Sequence, residues 1–199
     1  MECRICSSLD LIDVVTLKNV PESAQLFLKT KSEKYNCSIN LIIKQCQNCG
    51  HVQSTNKPVK YYKEVITAAG LSKKILSERI KIIKGIIKKN KYKKPKILEI
   101  GSHIGLMVNA IRKEVDCEII GLEASKSSVK IAREKNLNIV NGYFGENTNA
   151  LDGQKFDIVV CYNFLEHMPY PKSVLEELKT YLNNNSCIYM TVPSLNFIE

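Results

Sequence analysis

The sequence predicts an α/β protein: a parallel sheet of about five strands with helices on both faces, preceded by a small β-rich unit held by cysteines. Three observations carry this expectation. From Lys96 onward, short apolar runs alternate with segments of helical period. One of those runs, Lys96–Ile100, stops at a glycine turn that feeds a helix. The first 58 residues open and close on Cys-x-x-Cys pairs.

Composition narrows the classes. The 199 residues suit one ordinary domain plus an appendage, and 44% hydrophobic residues can fill a core. The net charge of +9 is local: residues 73–96 hold eleven Lys/Arg against one acid, Glu78. Lysine outnumbers arginine 25 to 4, whereas arginine is the usual residue for bidentate phosphate or base readout. No tryptophan is present to build a stacking platform. A solvated helical face is therefore favoured over a nucleic-acid surface. No apolar leader follows Met1 and no run of about 18 apolar residues occurs, which argues against secretion and membrane spanning. Eight cysteines without a leader point to metal or free thiols, and the expected compartment is the cytoplasm.

Residues 1–58 form the expected first unit. Cys3 and Cys6 open it, and Cys46 and Cys49, followed by Gly50, close it. Each pair lets two thiolates reach one ion from a tight turn, and Gly50 suits a left-handed position after the second pair. Four thiolates make a closed tetrahedral zinc site with no open position for water, so its role is structural. Val14–Leu17, Ala24–Leu28 and Ile39–Lys44 read as strands between the pairs, and Cys37 is unpaired.

Residues 59–95 are a linker and a basic amphipathic helix. Tyr61 and Tyr62 open the linker and read either as core anchors or as active-site residues. Ser72 caps a helix to about Lys89, with Ile75, Leu76, Ile80, Ile83, Ile86 and Ile87 on one face. Pro95 ends the basic stretch.

Residues 96–199 carry the alternating pattern. Strands are expected at Ile97–Ile100, Glu118–Leu122, Leu137–Val140, Phe156–Cys161 and Cys187–Val192; helices at Ile104–Val115, Ser125–Lys135 and Lys172–Leu182. In such a sheet, ligands sit at the carboxyl ends of the strands where their order reverses. Glu99, Glu123, Gly142 and Asn163 all fall at or near those ends. Glu123 lies twenty-two residues beyond Gly101, close to the roughly 20-residue interval at which a Rossmann-type unit places an acid on a ribose. A dinucleotide fingerprint needs glycines at the first, third and sixth positions of the turn. Counting from Gly101, His103 and Leu106 occupy the last two, which disfavours NAD or FAD.

What stands instead, Glu99-x-Gly101-x-x-x-Gly105, resembles motif I of the class I S-adenosylmethionine (SAM) methyltransferases, with His103 where many members have glycine. The order CxxC…CxxCGHVQ, YYKEV, EIGSHIG, GLEAS and FDIVVCYNFLEHMPYP…VPS is similar to bacterial methyltransferases with a zinc-binding N-terminal domain. The best understood of these are sugar C-methyltransferases acting on nucleotide-linked deoxysugars. The resemblance implies a Rossmann-like class I core and SAM as cofactor. Gly101 and Gly105 would line the cofactor turn, Glu99 would face the methionine end, and Glu123 would take the ribose hydroxyls. It makes His167 the candidate base for removing a proton beside a ketone, with Glu166 adjacent and Tyr61 or Tyr62 nearby. On the residues alone His167 has two readings, a proton carrier or a brace for the loop before Pro169. Cys161 and Cys187 fall inside strands.

Class I enzymes continue past the fifth strand with a helix and an antiparallel strand pair, and this group adds a C-terminal domain. Ending at Glu199, the chain reads as truncated, with a missing C-terminal half or a partner chain, and alone it is expected to bind SAM without completing transfer. Two alternatives stay open: an O- or N-methyltransferase of another small metabolite, and a non-catalytic zinc- and SAM-binding fragment or partner subunit.

Overall fold

The computed structural model describes residues 1–22, 38–57, 70–145 and 149–194. These residues fall into two compact units, one centred on residues 1–67 and the other on residues 68–194.

The first unit is a three-stranded antiparallel sheet, β1 (Leu11–Pro21), β2 (Ser38–Cys46) and β3 (Val52–Ser54), in that order. Leu11 pairs with Cys46 and Ile43 with Ser54, so the Cys46–Cys49 turn is the β2–β3 hairpin itself. Two of the expected runs lie within β1 and β2, while Ala24–Leu28 lies outside the described residues. The third strand is Val52–Ser54, a run too short to read from alternation. Ile12, Val14, Val15 and Leu17 of β1 are all exposed. Among the unit's described residues only Cys3, Cys46 and Gln53 are buried. Gln53 joins the chain start to β3, accepting from the Arg4 N–H at 2.9 Å and donating to the Glu2 carbonyl at 3.0 Å. The interior is thus a cysteine cluster with a polar staple, in place of an apolar core.

The second unit begins with α1 (Lys73–Asn90), whose N-cap Ser72 accepts from the Ile75 N–H at 3.3 Å. Its lysines point outward, and Ile80 and Ile83 are buried. There follow β4 (Lys96–Ile100), α2 (Leu106–Glu114), β5 (Glu118–Glu123), α3 (Lys126–Glu134), β6 (Ile139–Asn141), β7 (Phe156–Tyr162), α4 (Pro171–Thr180) and β8 (Leu182–Thr191). The five strands form one parallel sheet in the order β6-β5-β4-β7-β8. The chain steps outward from β4 to β6 and returns to the other side at β7. The order therefore reverses beside β4, and the crevice that accepts ligands in such sheets opens at its carboxyl end.

Side chains alternate across this sheet. Ile97 faces Ile83 of α1, Met107 and Ile111 of α2, and Val129 and Ala132 of α3. Leu98 and Ile100 face the opposite layer, with Phe144, Leu151, and Val174 and Leu178 of α4. The differences from the expected bounds have local causes. Gly105, at φ +77°, is the cap of α2, so that helix starts at Leu106. Leu137 donates to the Ala132 carbonyl and belongs to the end of α3, which moves β6 to Ile139. Pro171 takes the first position of α4, where its missing N–H costs nothing. Leu182 pairs with Phe156 ahead of an irregularity in register, so β8 begins five residues early.

Candidate active site and metal centre

The two cysteine turns are built alike. Ser7 donates to the Cys3 carbonyl and Gly50 to the Cys46 carbonyl, each at 2.9 Å, and both donors hold positive φ, 60° and 75°. One position on, Ser8 and His51 accept from the N–H groups of Cys3 and Cys46. Gly50 is the left-handed residue the sequence indicates; Ser7, its counterpart, carries no such signal because serine rarely takes that conformation. These turns bring Cys3, Cys6, Cys46 and Cys49 together, with all four sulfurs within 4.8 Å of one another. Cys3–Cys49 and Cys6–Cys46 are each separated by 3.6 Å. That is too long for a disulfide and close to the roughly 3.8 Å edge of a tetrahedron with zinc–sulfur bonds of about 2.3 Å. The Asn48 amide, donating to the Cys6 sulfur at 3.4 Å, helps bring that thiol down to about 6. At Cys49 the His51 backbone N–H pulls downward, but burial and the neighbouring sulfurs push the thiol up to about 12. One sulfur is primed to ionise and its neighbours resist a second charge, the pattern of ligands that lack a cation. These donors fit a divalent thiophilic ion.

In the second unit, the turn after β4 crosses the end of β5: Gly101 and Ser102 both donate to the Leu122 carbonyl. Gly101 (φ +74°), His103 (φ +48°) and Gly105 (φ +77°) are all left-handed. At Gly105 space forbids a side chain as well, since a Cβ would lie 2.5 Å from Leu137 and 2.8 Å from Ile139. At Gly101 the nearest side chain is Phe164, 3.8 Å from a Cβ position. The turn that follows β7 therefore stands beside the glycine turn.

Glu123, the last residue of β5, is 2% exposed. Its two oxygens accept backbone N–H bonds from His103 and Ser125, each at 2.7 Å. The carboxylate thus ties the glycine turn to the start of α3, a role that spacing alone does not reveal. Each oxygen retains a second lone pair. His103 takes part through its backbone.

Glu99 lies on the α1–α2 face of the sheet, 4% exposed, and its Oε2 has no hydrogen-bond partner among the described residues. Burial raises its carboxyl to about 8; the Arg79 guanidinium and the Val108 N–H pull it down, and Glu123 pushes it further up. The buried Tyr162 hydroxyl and Ser102 hydroxyl are likewise unpartnered. The Arg79 guanidinium lies 3.7 Å from the centre of the Tyr162 ring. Sequence reasoning missed Arg79 and Tyr162. Arg79 is hidden in the basic run, although it shares the helical stripe of Leu76 and Ile83.

Glu166 and His167 occupy a single 3-10 turn, Leu165–His167, after β7, with Nε2 and Oε1 3.8 Å apart. The imidazole is 37% exposed. Tyr61 and Tyr62 lie outside the described residues. Glu99, Gly101, Gly105 and Glu123 thus gather at the ends of β4 and β5, with the His167 turn adjoining through Phe164.

Residues 98–188 match the methyltransferase domain family. Among curated proteins, the ubiquinone biosynthesis O-methyltransferase of Histophilus somni is 25% identical over 111 residues, covering 51% of this chain and 46% of that protein. The mitochondrial ubiquinone biosynthesis O-methyltransferase of Dictyostelium discoideum is 21% identical over 144 residues, covering 63% of this chain and 45% of that protein. The chain thus spans about half the length of these relatives. Among solved structures, the plantazolicin methyltransferase BpumL, in complex with a pentazolic analogue and SAH, has a TM-score of 0.50 at 24% identity, covering 58% of this chain and 45% of that one. An S-adenosylmethionine-dependent methyltransferase from Clostridium acetobutylicum has a TM-score of 0.50 at 14% identity, covering 67% and 55%. These structural likenesses concern the fold. Residues 98–188 are therefore a methyltransferase domain, folded as the Rossmann-like sheet of the SAM-dependent class.

Proposed function

We propose that this protein binds SAM across the ends of β4 and β5 and transfers its methyl group to carbon of a nucleotide-linked deoxysugar, with a structural zinc ion in the first unit. One observation carries the cofactor assignment: two buried acids, Glu99 and Glu123, end adjacent parallel strands on either side of a left-handed glycine turn. SAM supplies an electrophilic methyl group on a sulfonium sulfur. The chain's own residues position it: Glu123 accepts from the ribose hydroxyls, Glu99 takes the ammonium, and the turn at Gly101 and Gly105 lets backbone approach closely. Cys3, Cys6, Cys46 and Cys49 hold the zinc ion, supported by their tetrahedral spacing.

Transfer to carbon requires a base to remove a proton beside a ketone. His167 serves here, its imidazole exposed on the turn next to Gly101 and steadied by Glu166; Tyr62 is proposed nearby on the resemblance alone. A second reading, transfer to oxygen, is favoured by the curated relatives, which are named O-methyltransferases.

Proton exchange separates the two. With nucleotide-linked keto-sugars in heavy water, the full gene product is expected to exchange the α-proton. His167→Asn should lower exchange and methyl transfer together by roughly 10²–10⁴-fold, with SAM affinity unchanged. Methylation of oxygen without exchange, and full turnover in the variant, would make His167 a loop brace and select the O-methyltransferase.

A further inference from the structure

We propose that Arg79, Tyr162 and Glu99 form a subsite for an α-amino acid zwitterion, the amino-acid end of SAM, in which the Arg79 guanidinium takes the carboxylate. This deepens the SAM reading above and rests on it. Four arginines occur in the chain. Arg4, Arg112 and Arg133 each donate to a backbone carbonyl. Arg79 makes no hydrogen bond or ion pair among the described residues. It is also half-buried, in a helix whose lysines are all exposed. Its recorded contact is the face of Tyr162, 3.7 Å away. Stacking uses the guanidinium's face and leaves its in-plane N–H groups free to grip a carboxylate.

The neighbours complete the complement. Glu99 and Val160 are paired across β4 and β7, so Glu99 and Tyr162, two residues further along β7, project from the same face of the sheet. The Glu99 Oε2 and the Tyr162 hydroxyl are both buried and unpartnered, and native proteins rarely leave such atoms so without a ligand or water to meet them. A lone buried acid invites a cation. A stacked arginine with unused donors invites an anion. Their adjacency, at the strand ends beside the glycine turn, matches a group that carries both charges one carbon apart.

The subsite is tested by calorimetry on the whole chain with three probes: SAH, decarboxylated SAM and 5′-methylthioadenosine. Arg79→Met is expected to weaken SAH by roughly 10–100-fold while decarboxylated SAM and methylthioadenosine stay within about twofold of wild type. Tyr162→Phe should show the same selectivity with a smaller loss, and Arg79→Lys should recover part of the SAH affinity. Equal loss for all three probes in Arg79→Met would make the arginine a packing residue and overturn the proposal, as would wild-type SAH affinity in that variant. Wild-type protein that binds none of the probes would remove the SAM reading itself. Wild-type protein that binds methylthioadenosine as tightly as SAH would remove only the zwitterion subsite.

Discussion

Stripping the metal from the whole chain is expected to unfold the first unit and leave the parallel sheet protected. Zinc bound at a closed four-thiolate site contributes roughly 10–16 kcal/mol in small metal-dependent domains, more than an ordinary domain's entire stability. The first unit has nothing to replace it: its buried described residues are two cysteines and a glutamine, and the apolar residues of β1 face outward. Metal analysis should find one zinc per chain. Chelation, or Cys46→Ser, should raise amide exchange through β1–β3 while β4, β5 and β7 keep their slow protons. A metal-free protein with β1–β3 still protected would show that the four thiols hold no structural ion.

Glu99→Gln should strengthen the fold and weaken the cofactor site at once. Burial holds the wild-type carboxyl near 8, against 4.5 as its ordinary value. The folded chain keeps this proton where the unfolded chain has released it, so the group's contribution to stability falls as pH rises from about 4.5 to about 8 and stays low above that. Glutamine has the shape of the protonated acid and no charge to desolvate. The variant is therefore expected to match wild type at pH 4 and to exceed it at pH 8.5 by on the order of 3–5 kcal/mol, read from denaturant unfolding at each pH. SAH binding should fall at both neutral and higher pH, because the amide cannot accept the ammonium as a charge. A variant no more stable than wild type at pH 8.5 would mean that a cation inside the fold already compensates Glu99, and the acid would then be free of its proposed ligand.

Much of this arrangement is legible in the chain. Apolar runs of five or six residues can only be buried strands here, Ser72 and Ser125 declare the helix starts they cap, and paired cysteines announce their cluster. Glu99 and Glu123 are found by their distance from Gly101. Other features are hidden for physical reasons. Ser7 takes the left-handed turn that glycine marks at the second knuckle, and nothing in a serine signals it. A charge count says how basic α1 is but not which cation faces the sheet, so Arg79 reads as one more surface charge until the stripe through Leu76 and Ile83 is traced. Tyr162 looks like the last residue of a strand, because a hydroxyl's lack of partners is a property of the packed state alone. Likewise the two N–H bonds that Glu123 accepts depend on how the turn folds over β5.

Calorimetric titration of the chain with SAH and, separately, with NAD tests the central claim most directly. The account predicts one SAH bound per chain, no NAD, and SAH affinity lost in Gly101→Val and reduced in Glu123→Ala by roughly 1.5–3 kcal/mol. Binding of NAD without SAH would contradict it.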